Sequence, residues 1–189
     1  MGVRVVIRMI TSPWTEERLF CALYRNYGPY KKVTNVCVRH VPAYQVNRVI
    51  KHRSGNVSKV ETRRYIDALV MTSSKSIWAV EMKVSSSDLR AELKKPEKAQ
   101  AWAQHVNGFY FAVSPNLWEE AMDTVPAKYG IMTVPTGYAI NGEREILAVR
   151  RRVKPNKNPD PMDPRTYLAL ARRAGKQDFV QCAATLVVD

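Results

Sequence analysis

Two apolar runs, Tyr65-Ile66-Asp67-Ala68-Leu69-Val70-Met71 and Ile77-Trp78-Ala79-Val80-Glu81-Met82-Lys83, flank the polar stretch Thr72-Ser73-Ser74-Lys75-Ser76. β-Branched and aromatic residues on both sides of a short polar turn predict two strands of a hairpin. A register centred on Ser74 sets Asp67 opposite Glu81. Alternate residues of a strand share a face, so Glu81 and Lys83 point the same way. An acid within an apolar run is unfavourable unless something compensates it. Two carboxylates facing each other across neighbouring strands repel unless a cation lies between them. A divalent cation with oxygen ligands, Mg²⁺ or Mn²⁺, resolves that repulsion. Lys83, one step along the same face, is then placed to orient a water or to stabilise charge on a phosphate oxygen.

The bare triplet Glu-x-Lys carries little by itself: ten Glu and thirteen Lys in 189 residues produce about 0.7 copies by chance. A second copy, Glu92-Leu93-Lys94, falls in a helical pattern, where residues two apart do not share a face, and reads as solvated helix surface. The first copy gains weight from its strand context and from Asp67. The structural alternative is an ion pair of Glu81 with Lys83 on an edge strand, with Asp67 a satisfied structural acid.

Working outward, a helix is expected over 13–26, capped by Ser12 and with Glu16 and Glu17 favouring the dipole in its first turn. A strand follows over 33–41, and the polar, basic stretch 42–59 reads as a loop or irregular hairpin. After the two central strands, Ser85-x-x-Asp88 opens a helix that Pro96 interrupts, and 97–106 is helical again. Phe109-Tyr110-Phe111-Ala112-Val113 is a buried strand, 115–122 a short helix, and 129–134 and 145–149 further short strands. The order predicts a mixed α/β core with helices flanking a central sheet. Residues 1–153 form the expected domain; 154–189 read as a Pro-rich linker and a C-terminal helical appendage starting at Pro164.

Thirty Lys and Arg against seventeen Asp and Glu give a net charge of +13. The surplus is +10 over 1–64 and +5 over 144–189, around a middle of −2. A polyanionic partner is implied, nucleic acid before an acidic membrane surface. Cys21, Cys37 and Cys182 form no C-x-x-C pair, which argues against a disulfide framework or a zinc ribbon. No apolar run reaches the roughly 18 residues of a membrane span. A dinucleotide fingerprint, a nucleophile elbow and H-E-x-x-H are missing, and Gly175-Lys176-Gln177 lacks the rest of a phosphate-binding loop. A soluble protein of a reducing compartment is expected, cytoplasmic in a bacterial or phage-infected cell.

At these residues the sequence resembles the PD-(D/E)XK nuclease superfamily, over about 12–134. It is most similar to the branch of MmcB-like DNA-repair nucleases and their phage relatives, through Trp78-Ala79-Val80-Glu81-Met82-Lys83-Val84-Ser85-Ser86-Ser87-Asp88-Leu89, then Lys95-Pro96-Glu97-Lys98 and the aromatic strand 109–113. The resemblance implies a restriction-endonuclease-like core of order α-β-β-β-α-β. It implies Asp67, Glu81 and the Met82 backbone carbonyl as ligands of Mg²⁺ or Mn²⁺, with Lys83 the catalytic lysine. Glu16 matches an acid that many members place near the metal. Gln100 and Gln104 match a glutamine-containing helix motif, though the aromatic residue expected four positions on is absent. Ile66 replaces the proline of the nominal motif.

The expected function is hydrolysis of DNA phosphodiester bonds in repair, recombination or phage DNA processing, with RNA left open. Arg63 and Arg64 ahead of the Asp67 strand, Lys94, Lys95 and Lys98 after the Glu81 strand, and the basic 39–64 segment are the expected phosphate contacts. The alternatives are a catalytically silent nucleic-acid-binding module on the same fold and a restriction-type or junction-resolving nuclease acting as a homodimer.

Overall fold

The computed structural model describes residues 13–28, 35–51, 57–135 and 145–174, with backbone alone over 45–51 and 57–62. In chain order the elements are α1 (Glu16–Tyr27), β1 (Val36–Lys51), β2 (Val57–Met71), β3 (Ile77–Lys83), α2 (Ser86–Leu93), α3 (Glu97–Ala103), β4 (Gly108–Val113), α4 (Trp118–Thr124), β5 (Gly130–Thr133), β6 (Ala148–Arg151) and α5 (Pro164–Ala174). The strands form one six-stranded sheet in sequential order. β1, β2 and β3 are antiparallel, β3, β4 and β5 are parallel, and β6 returns antiparallel to β5. The parallel steps need crossovers, and α2, α3 and α4 supply them. The result is the mixed α/β core with flanking helices that the order of elements predicts.

The sheet is covered on both faces. α1 packs Leu19, Phe20, Ala22, Leu23 and Tyr24 against Ala68, Val70, Val80, Met82, Tyr110 and Ala112. On the other face Leu89, Ala99, Trp102, Ala121 and Leu170 close over Leu69, Ala79, Phe109, Phe111 and Ile131. Met162 belongs to the same cluster, so the proline-rich stretch and α5 contribute to the core of the sheet. β4 is buried at every position, as expected of a central parallel strand, and reads as the near-continuous apolar run Phe109 to Val113.

The β2–β3 hairpin has the register centred on Ser74: Ala68 pairs with Val80, Leu69 with Ala79, Val70 with Trp78 and Met71 with Ile77. Its turn is held by Thr72, whose N–H donates to the Ser76 carbonyl at 2.9 Å, and Lys75 takes the positive φ of 64°. Ser85 caps α2, its Oγ accepting the Asp88 N–H at 3.3 Å.

Two local readings change. α1 starts at Glu16 with Thr15 as its cap, whose Oγ1 accepts the Arg18 N–H at 3.2 Å. Pro13 therefore precedes the helix, and Ser12 lies outside the described residues. Within the 42–59 stretch, 42–51 and 57–59 extend β1 and β2 into a long antiparallel ladder, with a bulge between Val46 and Arg48; 52–56 lie outside the described residues. Val46, Val49, Ile50, Val57 and Val60 give it strand propensity among polar and basic neighbours, which is why composition alone suggests a loop.

β1 and β2 also kink where β2 reaches Asp67. Arg39 pairs with Ala68 and Val41 with Ile66, but the intervening pair, His40 with Asp67, drops out of the ladder. His40 takes a φ of 50°. Val38 and Val41 then bury on the same face, as do Leu69 and Ile66. Residues three apart on a regular strand face opposite ways, so the pleat reverses at this point.

Candidate functional site

β2 and β3 part company beside Asp67. The last pair is Ala68 with Val80. One step further, the Met82 N–H turns to the side chain of Asp67 and donates to Oδ2 at 2.7 Å. β3 meanwhile stays paired with β4 up to Lys83 and Val113. Asp67 thus sits in the fork between two separating strands, satisfying a backbone donor that the ladder leaves unpaired.

Glu81 and Lys83 leave β3 on the face covered by α2 and α3. Glu81 is 1% exposed and Lys83 5%. Lys83 Nζ donates to Glu81 Oε1 at 2.8 Å and lies 3.3 Å from Glu92 Oε2 and 3.4 Å from Asp88 Oδ2. Lys98 Nζ, from α3, contacts the same Glu81 Oε1 at 2.5 Å and Glu92 Oε2 at 3.7 Å. The result is a half-enclosed cluster of four acids, Asp67, Glu81, Asp88 and Glu92, around two ammonium groups.

The electrostatics follow from this packing. Burial, and then the nearby Asp67 charge, push the Glu81 carboxyl up to about 7, against the opposing pull of Lys83 and Lys98. Glu81 Oε1 accepts from both ammonium groups, whereas Oε2 is buried with no hydrogen-bond partner. Such an orphaned carboxylate oxygen is costly unless a proton or cation completes it. Burial works against the charge on Lys83 too, but Glu81, Glu92 and Asp88 outweigh it and hold the lysine above its ordinary pKa. Lys83 is therefore a permanent ammonium at neutral pH.

Asp67, Glu81, Lys83 and Lys98 are brought together. Of the other expected residues, Lys94, Lys95 and Gln100 are exposed on or beside α2 and α3. Gln104 closes α3 and is tied to His105 Nε2 at 3.0 Å, while its carbonyl accepts the Asp160 N–H. Arg63 stacks over the Tyr44 ring at 5.6 Å, and the Arg64 carbonyl accepts Trp102 Nε1–H at 3.1 Å. Glu16 lies on α1, which packs on the sheet face opposite Glu81 and Lys83. Among the described residues no hydrogen bond or ion pair joins it to the cluster, and its neighbour Glu17 pairs with Arg39.

Asp88 and Glu92 are the residues that sequence reasoning passed over. Glu92 is 13% exposed and faces Lys83 and Lys98, so it is part of the cluster and not solvated helix surface. The signal was its spacing: Asp88 and Glu92 are four apart on α2 and share a face. Pairing Glu92 with Lys94 in a second Glu-x-Lys concealed it. Among the described residues no three His, Cys, Asp or Glu side chains converge to hold a metal. Glu81 keeps one unmet carboxylate oxygen, and the Asp67 charge lies near enough to push its carboxyl up. Among the described residues, too, no helix is long and apolar enough to cross a membrane.

No family model matches the chain, and no curated protein does. A solved structure, the SPO1766 protein of unknown function from Silicibacter pomeroyi, is similar at 17% identity and a TM-score of 0.48, covering 89% of this chain and 86% of its own.

Proposed function

We propose that this protein is a metal-dependent nuclease of the PD-(D/E)XK type that hydrolyses DNA phosphodiester bonds, in repair, recombination or phage DNA processing. One observation carries the reading: Glu81, buried beside Asp67, keeps one carboxylate oxygen without a partner, with Lys83 on the same strand face. Two adjoining carboxylates, one of them incompletely satisfied, are donors suited to a hard cation that keeps water among its ligands. Asp67, Glu81 and the Met82 carbonyl would hold Mg²⁺ or Mn²⁺. A bound divalent cation supplies Lewis acidity toward the scissile phosphate and makes a nearby water easier to deprotonate.

The chain's own residues have separable tasks. Asp67 is fixed by the Met82 N–H, so its carboxylate is oriented before any substrate arrives. Lys83, held as an ammonium by three carboxylates, serves as a hydrogen-bond donor to a phosphate oxygen and not as a base. Lys98, at the rim of the cluster and 24% exposed, is free to exchange Glu81 for a phosphate. In the overall reaction water adds to phosphorus, the ester oxygen leaves with a proton, and one diester becomes a monoester and an alcohol.

The pairing of both ammonium groups with Glu81 Oε1 favours a second reading, a nucleic-acid-binding module whose acids are permanently neutralised. Incubating the protein with supercoiled, linear, nicked and single-stranded DNA in Mg²⁺, Mn²⁺ or chelator separates the two. Cation-dependent cleavage abolished by Asp67→Asn and Lys83→Met supports the nuclease. Binding without cleavage under every condition supports the module.

A further inference from the structure

We infer that the β1–β2 ribbon beyond the His40–Asp67 kink is an arm that seats in the major groove of duplex DNA, which rests on the nuclease reading and names the form of its substrate. From Pro42–Tyr65 to Lys51–Val57 the two strands pair with each other, while β2 pairs with β3 only at Ala68 and beyond. The root is firmly held. Val41, Ala43 and Ile66 are buried with Trp102 and Leu170, and Trp102 clasps the Arg64 carbonyl. Past the root the ladder continues for the eight residues from Tyr44 to Lys51, about 26 Å at roughly 3.3 Å per residue.

Charge identifies the occupant. The paired residues of this arm include Arg48, Lys51, Lys59, Arg63 and Arg64 against the single acid Glu61. Charged residues on a long ribbon also discourage edge-to-edge aggregation, but that purpose needs charge and not one sign of it. The near-uniform positive sign points to a polyanion. Its root has aromatic residues as well: the Arg63 and Arg165 guanidiniums lie over the Tyr44 ring, 5.6 Å and 4.4 Å from its centre, and Tyr65 is 43% exposed. A two-stranded ribbon fits the roughly 12 Å major groove of B-DNA, and about 26 Å of it spans roughly three-quarters of a turn. A-form RNA offers a deep, narrow major groove that does not admit it. Because the arm begins next to Asp67, DNA lying along it leads to the acidic cluster.

The test uses the full-length protein in chelator, so that binding is read without cleavage. Fluorescence anisotropy with a 20-base-pair DNA duplex compares the wild type with R48E/K51E/K59E and with the milder R48Q/K51Q/K59Q, each checked by its thermal melt. The expected result is at least a tenfold loss of duplex affinity in the glutamine variant and more in the glutamate one. The log–log salt slope should fall by up to about 3, near 0.9 for each phosphate no longer neutralised. Methyl green, a major-groove ligand, should compete with the protein, and netropsin, a minor-groove ligand, should not. Unchanged duplex affinity in a folded glutamine variant overturns the arm. Equal affinity for duplex RNA or for polyglutamate overturns the groove assignment. Hydrolysis of bis(p-nitrophenyl) phosphate by the wild type with Mn²⁺ is read in parallel. Its absence counts against the nuclease reading, while the binding data still judge the arm.

Discussion

The carboxylate of Asp67 accepts the backbone N–H of Met82 at 2.7 Å, across the fork where β2 and β3 stop pairing. One side chain therefore holds the backbone and offers charge to the cluster, and two substitutions separate these tasks. Asp67→Asn keeps an acceptor for Met82 and removes the charge, so the melting temperature should stay near wild type while plasmid nicking falls by about 10²-fold or more. Asp67→Ala leaves the Met82 N–H without its partner and should also destabilise the protein by about 1–3 kcal/mol. Nicking by Asp67→Asn at the wild-type rate would remove Asp67 from the chemistry.

Glu81 imposes a pH dependence on the metal-free protein. Burial and the Asp67 charge raise its carboxyl from 4.5 to about 7. The folded state therefore binds this proton more tightly than the unfolded chain. The associated stability is complete below about pH 4.5 and is lost as pH rises through about 7, with an upper bound of about 3 kcal/mol at 1.36 kcal/mol per unit. Urea melts from pH 5 to 8 should show this decline in the wild type and a flatter profile in Glu81→Gln. A cation displaces the same proton, so Mn²⁺ affinity should rise with pH up to about 8 and then level off.

Lys98 competes for Glu81. Its ammonium touches Oε1 and would repel a divalent cation arriving at the same carboxylate. At pH 8, where Glu81 is mostly ionised in the wild type, Lys98→Ala should bind Mn²⁺ severalfold more tightly by titration calorimetry. Cleavage should nonetheless slow if Lys98 exchanges Glu81 for a phosphate. Weaker Mn²⁺ binding at pH 8 would mean that Lys98 supports the cation site instead.

The hairpin register was legible because its polar turn is short and symmetric about Ser74, and the four observed pairs follow it. The burial of β4 was legible because nothing interrupts the apolar run 109–113. The arm was not: strand propensity from scattered valines is weak, and the ladder that reveals it is a long-range pairing. Glu92 was hidden for a similar reason. Its partners Lys83 and Lys98 come from β3 and α3, and only packing of α2 over the sheet brings the three together. Pleat reversal at Asp67 has no local sequence signal, since His40 is an ordinary polar residue in a β-branched run.

His40 gives the last test, because the kink beside Asp67 depends on its backbone. It is exposed and takes a φ of 50°, in the left-handed region that β-branched residues strongly avoid. Its side chain has little packing to lose, so substitution reads backbone strain. His40→Gly should leave stability unchanged or raise it by up to about 1 kcal/mol, since glycine accepts this conformation freely. His40→Val should lower stability by about 1–2 kcal/mol, seen as a lower urea midpoint at unchanged m-value. If valine instead straightens β1, position 40 would pair with Asp67 and the acid would shift out of the fork. Nicking should then fall in His40→Val and persist in His40→Gly. Equal stability and equal nicking in the two variants would show that the fork holds Asp67 without help from the kink.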